Sequence, residues 1–229
     1  MKHVPPRIAA STWVIVWNKK SDEQTRVPPL FAADANGDSP FRCAIRAALA
    51  WAPATQVSPV VFRSDRPWWS KATASVPVPH LAEQPFDRGT APGILLGLLR
   101  IARSNPDACI VLLCSERRPP SLSTVARALC CLDARTPLVS CTSGGRVVCI
   151  RSDDDWPNGI VRSGDVLVAP VHGLIQLFTA TQPELTEGFI ETLDGASLFD
   201  ESALDRLYPF LPEVDFESEV LGAFYGHRS

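Results

Sequence analysis

Continuous apolar runs, rather than alternating ones, mark the strands of this chain. Residues 13–17, Trp-Val-Ile-Val-Trp, are bounded by polar residues, and residues 108–113 repeat the pattern. Runs of this kind read as strands covered on both faces, which is the habit of parallel sheets. Residues 57–62 read as a second strand despite Pro59, which has no N–H for a ladder. Residues 76–81 read as a short strand delivering Glu83 and Gln84 to its end. Residues 137–140 and 147–150 predict two strands joined by a Ser143-Gly144-Gly145 turn, and residues 165–170 a further strand. Helical spacing fills the intervals. Ser39 caps a helix to Trp51 with Pro40 in its first turn. Ile94, Leu95, Leu98, Leu99 and Ile101 give a wide apolar face over 90–103, with Arg100 and Arg103 near the end that favours cations. Ser121 or Ser123 caps a helix to Cys131, residues 171–181 and 183–193 read as two more, and Asp215 caps the last, through Val220 and Leu221. Alternating strands and helices predict a three-layer α/β fold, with a mainly parallel sheet flanked by helices.

Composition narrows the picture. A chain of 229 residues, 45% of them hydrophobic, buries a sizeable core and fits a single domain over residues 1–229, with residues 165–229 packing their strand and helices on the same sheet. A net charge of −3, with no basic block longer than Lys19-Lys20 or Arg117-Arg118, gives no reason to invoke nucleic acid or a membrane surface. No stretch reaches the roughly 18 apolar residues of a membrane span, and the expectation is a cytoplasmic protein. The seven cysteines lie mostly in apolar runs and read as buried thiols; there is no CxxC pair, and the four histidines are scattered. Trp68 and Trp69 read as cover for a core edge, and the acidic run Asp153-Asp154-Asp155 as a solvated turn.

The candidate chemistry gathers where strands end. The polar segment 18–26, NKKSDEQTR, leaves the first strand at the carboxyl edge, where open α/β sheets place their ligand crevice. The stretch 83–94, EQPFDRGTAPGI, joins a turn to an apolar helix, and Gly89 there lets backbone approach a ligand. With Glu83, Gln84, Pro85, Arg88, Thr90, Ala91, Pro92 and Ile94, this stretch resembles the E-P-x-x-R-N-T-A-P-A-I motif of the sugar-1-phosphate nucleotidyltransferases, closest to the mannose-1-phosphate guanylyltransferase branch. Residues 13–16, 26–30, 165–185 and 211–221 resemble further family segments. The resemblance implies a nucleotide-diphospho-sugar transferase-like, Rossmann-like fold. It also implies a nucleotide site built from Lys19, Glu83, Gln84, Arg88, Gly89 and Thr90, with Arg26 and Glu116 in catalytic roles and Glu116 at the position of the family's metal-binding aspartate.

The chain departs from the family where phosphates are held. The family's glycine-rich first loop is here VWNKKSDEQTR, without a glycine, and two added carboxylates, Asp22 and Glu23, repel a nucleotide. The family's P-K-Q lysine has no counterpart in FAADANGDSPF, and its late W-S-D-x-G element none within residues 1–229. Glu116 carries one methylene more than the family's aspartate. The expectation is therefore a degenerate, catalytically impaired nucleotidyltransferase-like protein, with no cofactor, that binds a nucleotide or nucleotide-sugar, or regulates an active paralogue or a second copy of itself. The alternative is an active enzyme that joins a sugar 1-phosphate to a nucleoside triphosphate with Mg²⁺. A small α/β hydrolase acting through Ser115 or Cys114 is a third reading, and neither a G-x-S-x-G elbow nor a matched histidine accompanies it.

Overall fold

The computed structural model describes residues 10–18, 27–35, 37–74, 76, 78–133, 138–150, 166–193 and 197–223. Its centre is the parallel pair β1 (Thr12–Trp17) and β4 (Cys109–Cys114), in register from Thr12 opposite Cys109 to Trp17 opposite Cys114. Every residue of β1 is buried, because both faces of the sheet are covered. Trp13, Ile15 and Trp17 point into one core and Val14 and Val16 into the other, so residues 13–17 are apolar without interruption. Burial of one such side chain contributes about 1.5–3 kcal/mol.

Outward from β1 lie β2 (Val57–Phe62) and β3 (Ala82–Gln84), both parallel to it. Beyond β4 come β7 (Val166–Pro170), β5 (Leu138–Cys141) and β6 (Val147–Ile150), giving the order β3-β2-β1-β4-β7-β5-β6. β7 runs antiparallel to both β4 and β5, and β6 antiparallel to β5. The sheet is mixed: its pairs are parallel from the β3 edge to β4 and antiparallel from β4 to the β6 edge. The chain leaves β4, crosses back through a helix and lays down β5 one place further out, and β7 later fills the gap from the opposite direction. The tight turn between β5 and β6 reverses the chain, as a hairpin must.

The helices follow from local chemistry. In α1 (Pro40–Trp51), Ser39 accepts a hydrogen bond from the N–H of Arg42, and Pro40 removes none of the bonds of the helix, since N–H groups of the first turn have no intrahelical partner. In α4 (Leu122–Cys131), Ser121 caps in the same way through Thr124. These two helices cover one face. The other face carries α3 (Ala91–Ser104), α5 (Val171–Thr181), α6 (Pro183–Thr192) and α7 (Glu201–Leu207). Trp69, on the short helix α2 (Arg66–Thr73), packs on the core edge and donates its indole N–H to the carbonyl of Phe62, which fits a covering role.

Two expectations differ from the structure. No strand forms over residues 76–81: the residues before Ala82 turn at Pro79 and His80, and the carbonyl of His80 is taken by the Ser58 hydroxyl at 2.7 Å. Pro77 and Pro79 cannot donate to a ladder, so Val76, Val78 and Leu81 pack on the core from a loop and pairing starts at Ala82. Arg100 does not rest on the helix dipole alone. Its guanidinium donates to the carbonyls of Leu198 (2.8 Å) and Leu81 (3.0 Å) and lies over the Phe199 ring, and burial lowers its pKa. The run Asp153–Asp155 lies outside the described residues. No helix among those described is long and apolar enough to cross a membrane.

All seven cysteines are free thiols, but burial reaches fewer of them than their apolar runs suggest: Cys114 and Cys141 are buried, Cys109 and Cys131 half-buried, and Cys43, Cys130 and Cys149 exposed. Burial, with a smaller contribution from the charges of Glu116 and Glu217, pushes the Cys114 thiol up to about 11. Brief iodoacetamide treatment at neutral pH, read by peptide mass spectrometry, is therefore expected to alkylate the three exposed cysteines in native protein, and Cys114 and Cys141 only in denaturant. Early modification of Cys114 would contradict the packing at the end of β4.

Candidate functional site

The parallel strands β1, β2, β3 and β4 deliver Asn18, Arg63, Gln84 and Ser115 to one edge of the sheet. Strand order reverses between β1 and β4: the chain goes from β1 to β2 on one side and later to β4 on the other. A crevice at the carboxyl ends of such a pair is the usual ligand position in open α/β sheets. Here the seam is closed at its base by the N–H of Ser115 donating to the carbonyl of Trp17 at 2.8 Å.

The buried polar side chains along this edge stand out in an otherwise apolar interior. Asn18 is buried at the end of β1. Gln84 is 1% exposed and Ser115 2% exposed, and neither the Gln84 Oε1 nor the Ser115 Oγ has a hydrogen-bond partner among the described residues. Leaving such an oxygen dry and unpaired costs about 1–3 kcal/mol, so each asks for a further partner. Gln84 is held by a close fit. A Cβ on Gly93, in the first turn of α3, would lie 2.4 Å from the Gln84 Nε2 and 2.5 Å from Val60, so only glycine leaves room for the amide.

Most of the 83–90 stretch is committed elsewhere. The Glu83 carboxylate, little exposed, accepts from Arg63 Nε at 2.9 Å and from Arg66 Nη2 at 2.7 and 2.8 Å, and Arg63 also donates to Asp205 at 2.6 Å. A forked, partly buried pair of this kind is stronger than an open surface pair. Arg88 donates to the carbonyls of Tyr208 (3.1 Å) and Pro209 (2.5 Å). Gly89 sits at φ +80°, and a Cβ there would lie 2.2 Å from the Val214 carbonyl oxygen. Thr90 Oγ1 accepts the N–H of Phe216 at 2.8 Å and donates to Asp215 at 3.1 Å. The backbone joins in, with Val214 N–H to the Arg88 carbonyl at 3.0 Å and Ala91 N–H to the Val214 carbonyl at 3.1 Å.

Of the residues expected from sequence, the structure gathers Glu83, Gln84, Arg88, Gly89 and Thr90 along the β3–α3 turn and places Glu116 exposed at the end of β4. Lys19 and Arg26 lie outside the described residues. Mg²⁺ is held through one or two carboxylates completed by substrate phosphates and water. Among the described residues no three His, Cys, Asp or Glu converge, so they do not form a cation site on their own. Ser115, which the sequence suggests only as a nucleophile, has no base set against its hydroxyl among the described residues, and they lend the hydrolase reading no support. Its burial was the missed signal: a serine closing an apolar strand directly before Glu-Arg-Arg is a polar group carried inward by the pleat.

No family model matches the sequence, and no curated protein is similar to it. Among solved structures, the mannose-1-phosphate geranyltransferase of Thermus thermophilus is similar with a TM-score of 0.62 at 14% identity, over 92% of this chain and 71% of that one. The mannose-6-phosphate isomerase of Helicobacter pylori is similar with a TM-score of 0.61 at 12% identity, over 91% of this chain and 92% of that one. A 4-diphosphocytidyl-2C-methyl-D-erythritolsynthase of Anaerococcus prevotii gives a TM-score of 0.47 at 9% identity, over 95% and 96%. The likeness is one of fold. The fold is that of the nucleotide-diphospho-sugar transferases.

Within this fold the Gly89 turn is a structural clamp. Gly89→Ala adds both a strained φ and a clash with Val214, and is expected to lower stability by at least about 2–3 kcal/mol in urea unfolding. Thr90→Val, which keeps the shape and removes the hydroxyl, is expected to cost about 1–3 kcal/mol, with Thr90→Ser largely restoring it. A Thr90→Val protein as stable as the parent would show that the clamp contributes nothing.

Proposed function

We propose that this chain binds a nucleotide or nucleotide-sugar at the carboxyl edge of β1, β3 and β4, and serves as a binding or regulatory partner rather than as a transferase. The observation that carries this reading is the Gln84 side chain: a buried amide with an unpaired oxygen, locked over Gly93. A base edge offers N–H donors to such an oxygen, and side-chain amides read base edges in this way. Glu83, Arg88, Gly89 and Thr90 then act behind the site, by fixing the turn that carries Gln84. Mannose-1-phosphate, which the similar Thermus thermophilus structure is named for, makes GDP-mannose the first nucleotide-sugar to try.

The phosphate side supports binding over turnover. The 18–26 segment has no glycine with which to wrap backbone N–H groups around a triphosphate, and it carries Asp22 and Glu23. A second reading, an active nucleotidyltransferase, draws on the position of Glu116 directly after β4.

Isothermal titration with guanosine, GTP, GDP-mannose and their uridine counterparts tests the first reading. At least one is expected to bind, and Gln84→Met to weaken it about tenfold, or about 1.4 kcal/mol. Because Gln84→Met also removes an unpaired buried oxygen, its melting temperature should not fall. Unchanged affinity in that variant, or no binding by any of these ligands, would sink the proposal. Pyrophosphate release from nucleoside triphosphate and mannose 1-phosphate in Mg²⁺, abolished by Glu116→Gln, would establish the second reading in its place.

A further inference from the structure

We propose that the site takes a ligand carrying a 5′-diphosphate, and that the diphosphate is held by the turn after β4, through Ser115, Arg117 and Arg118, instead of by the loop after β1. This rests on the nucleotide reading of the site given above. The Ser115 backbone is fixed at the seam between β1 and β4, where strand order reverses, by its own N–H on the Trp17 carbonyl. That hydroxyl is buried without a partner, and it can donate one hydrogen bond and accept others. The turn beyond it is closed by the N–H of Arg117 on the Cys114 carbonyl at 3.3 Å. Glu116, Arg117 and Arg118 are all exposed on that turn, and neither arginine side chain has an ion pair or hydrogen bond among the described residues. The two guanidinium groups share this end of the sheet with Glu116 and Glu217, whose charges reach the Cys114 thiol, so the turn offers two cationic forks without a net positive field.

Arginine suits the task because its planar fork meets two phosphate oxygens at once and stays charged at every relevant pH. The N-terminus of α4 is not needed as an anion site, since the Ser121 hydroxyl already takes the Thr124 N–H. A neutral sugar or a bare nucleoside leaves the two cations unused. A nucleoside diphosphate or its sugar ester uses both, with the base toward Gln84 on β3 and the phosphates toward Ser115 on β4. An ordered water on Ser115 is the rival account of the open hydroxyl, and it predicts no role for the arginines.

The test compares guanosine with GDP, and uridine with UDP, by isothermal titration on the full chain, Ser115→Ala and the double variant Arg117→Gln/Arg118→Gln. The diphosphate is expected to bind at least tenfold more tightly than its nucleoside. The double variant should lose most of that increment and Ser115→Ala a several-fold part of it, with nucleoside affinity unchanged in both. Thermal unfolding should be unaltered by the exposed arginine changes and no lower for Ser115→Ala. An increment that survives the double variant, or nucleoside binding as tight as diphosphate binding, overturns this proposal while leaving base recognition at Gln84 standing. Failure of every nucleoside and nucleotide to bind the parent chain overturns both.

Discussion

The hydroxyl of Thr90 joins the two halves of the molecule. Thr90 stands at the start of α3, where a threonine ordinarily caps its own helix, yet its side chain makes no such bond. It accepts a hydrogen bond from the Phe216 N–H and donates one to the carboxylate of Asp215, 125 residues further along the chain. Asp215 then accepts from the N–H and hydroxyl of Ser218, which fixes the π-helical turn Phe216–Leu221. The Phe216 ring stacks on Phe178 of α5 and meets Trp17 edge-on at the end of β1. One buried hydroxyl thus sets how the C-terminal segment lies against the carboxyl edge of the sheet. The clamp depends on Gly89, because any side chain there would occupy the place of the Val214 carbonyl.

Much of the scaffold is legible from the sequence, for a physical reason. Strands covered on both faces must be apolar without interruption, and β1 and β2 appear within a residue of their expected bounds. Ser39, Ser121 and Asp215 cap as their positions imply, because capping is a local bond. What escapes is whatever depends on distant partners. The resemblance assigns Arg88 to a nucleotide and the helix dipole accounts for Arg100, but their donors are taken up by carbonyls of the 198–209 region. The antiparallel entry of β7 between β4 and β5 escapes too, since alternation of strands and helices says nothing about the direction of a strand returning from the C-terminal half.

The candidate site divides along the same line. A similar stretch of sequence can persist because it binds a ligand or because it holds the fold, and a list of residue identities cannot separate the two. The partners of each side chain can. Glu83 is enclosed by Arg63 and Arg66, and Arg88, Gly89 and Thr90 belong to the clamp, so the fold alone accounts for their retention. Gln84 and Ser115 are different. Both are polar, buried and unpaired at an oxygen, and the fold would be at least as stable with apolar groups of the same shape.

Trp13 and Tyr208 also bury an unpaired polar atom, so the Gln84 and Ser115 oxygens stand out by their place at the carboxyl edge and not by burial alone. A residue that stabilises the fold needs no ligand to explain it, whereas one that costs stability needs a compensating partner. On a free-energy scale, two unpaired buried oxygens together cost about 2–6 kcal/mol, a large share of the margin of a typical domain. A ligand that binds only the native state and bonds both oxygens recovers that cost. The spacing of the two positions across the sheet sets its shape. With β2, β1 and β4 following β3 in the sheet, Gln84 and Ser115 stand three strand positions apart, about 14 Å at ordinary strand separation. For the ligand proposed above, a single base or sugar is too short to bridge that distance, and an extended base, ribose and phosphate chain is the length to test.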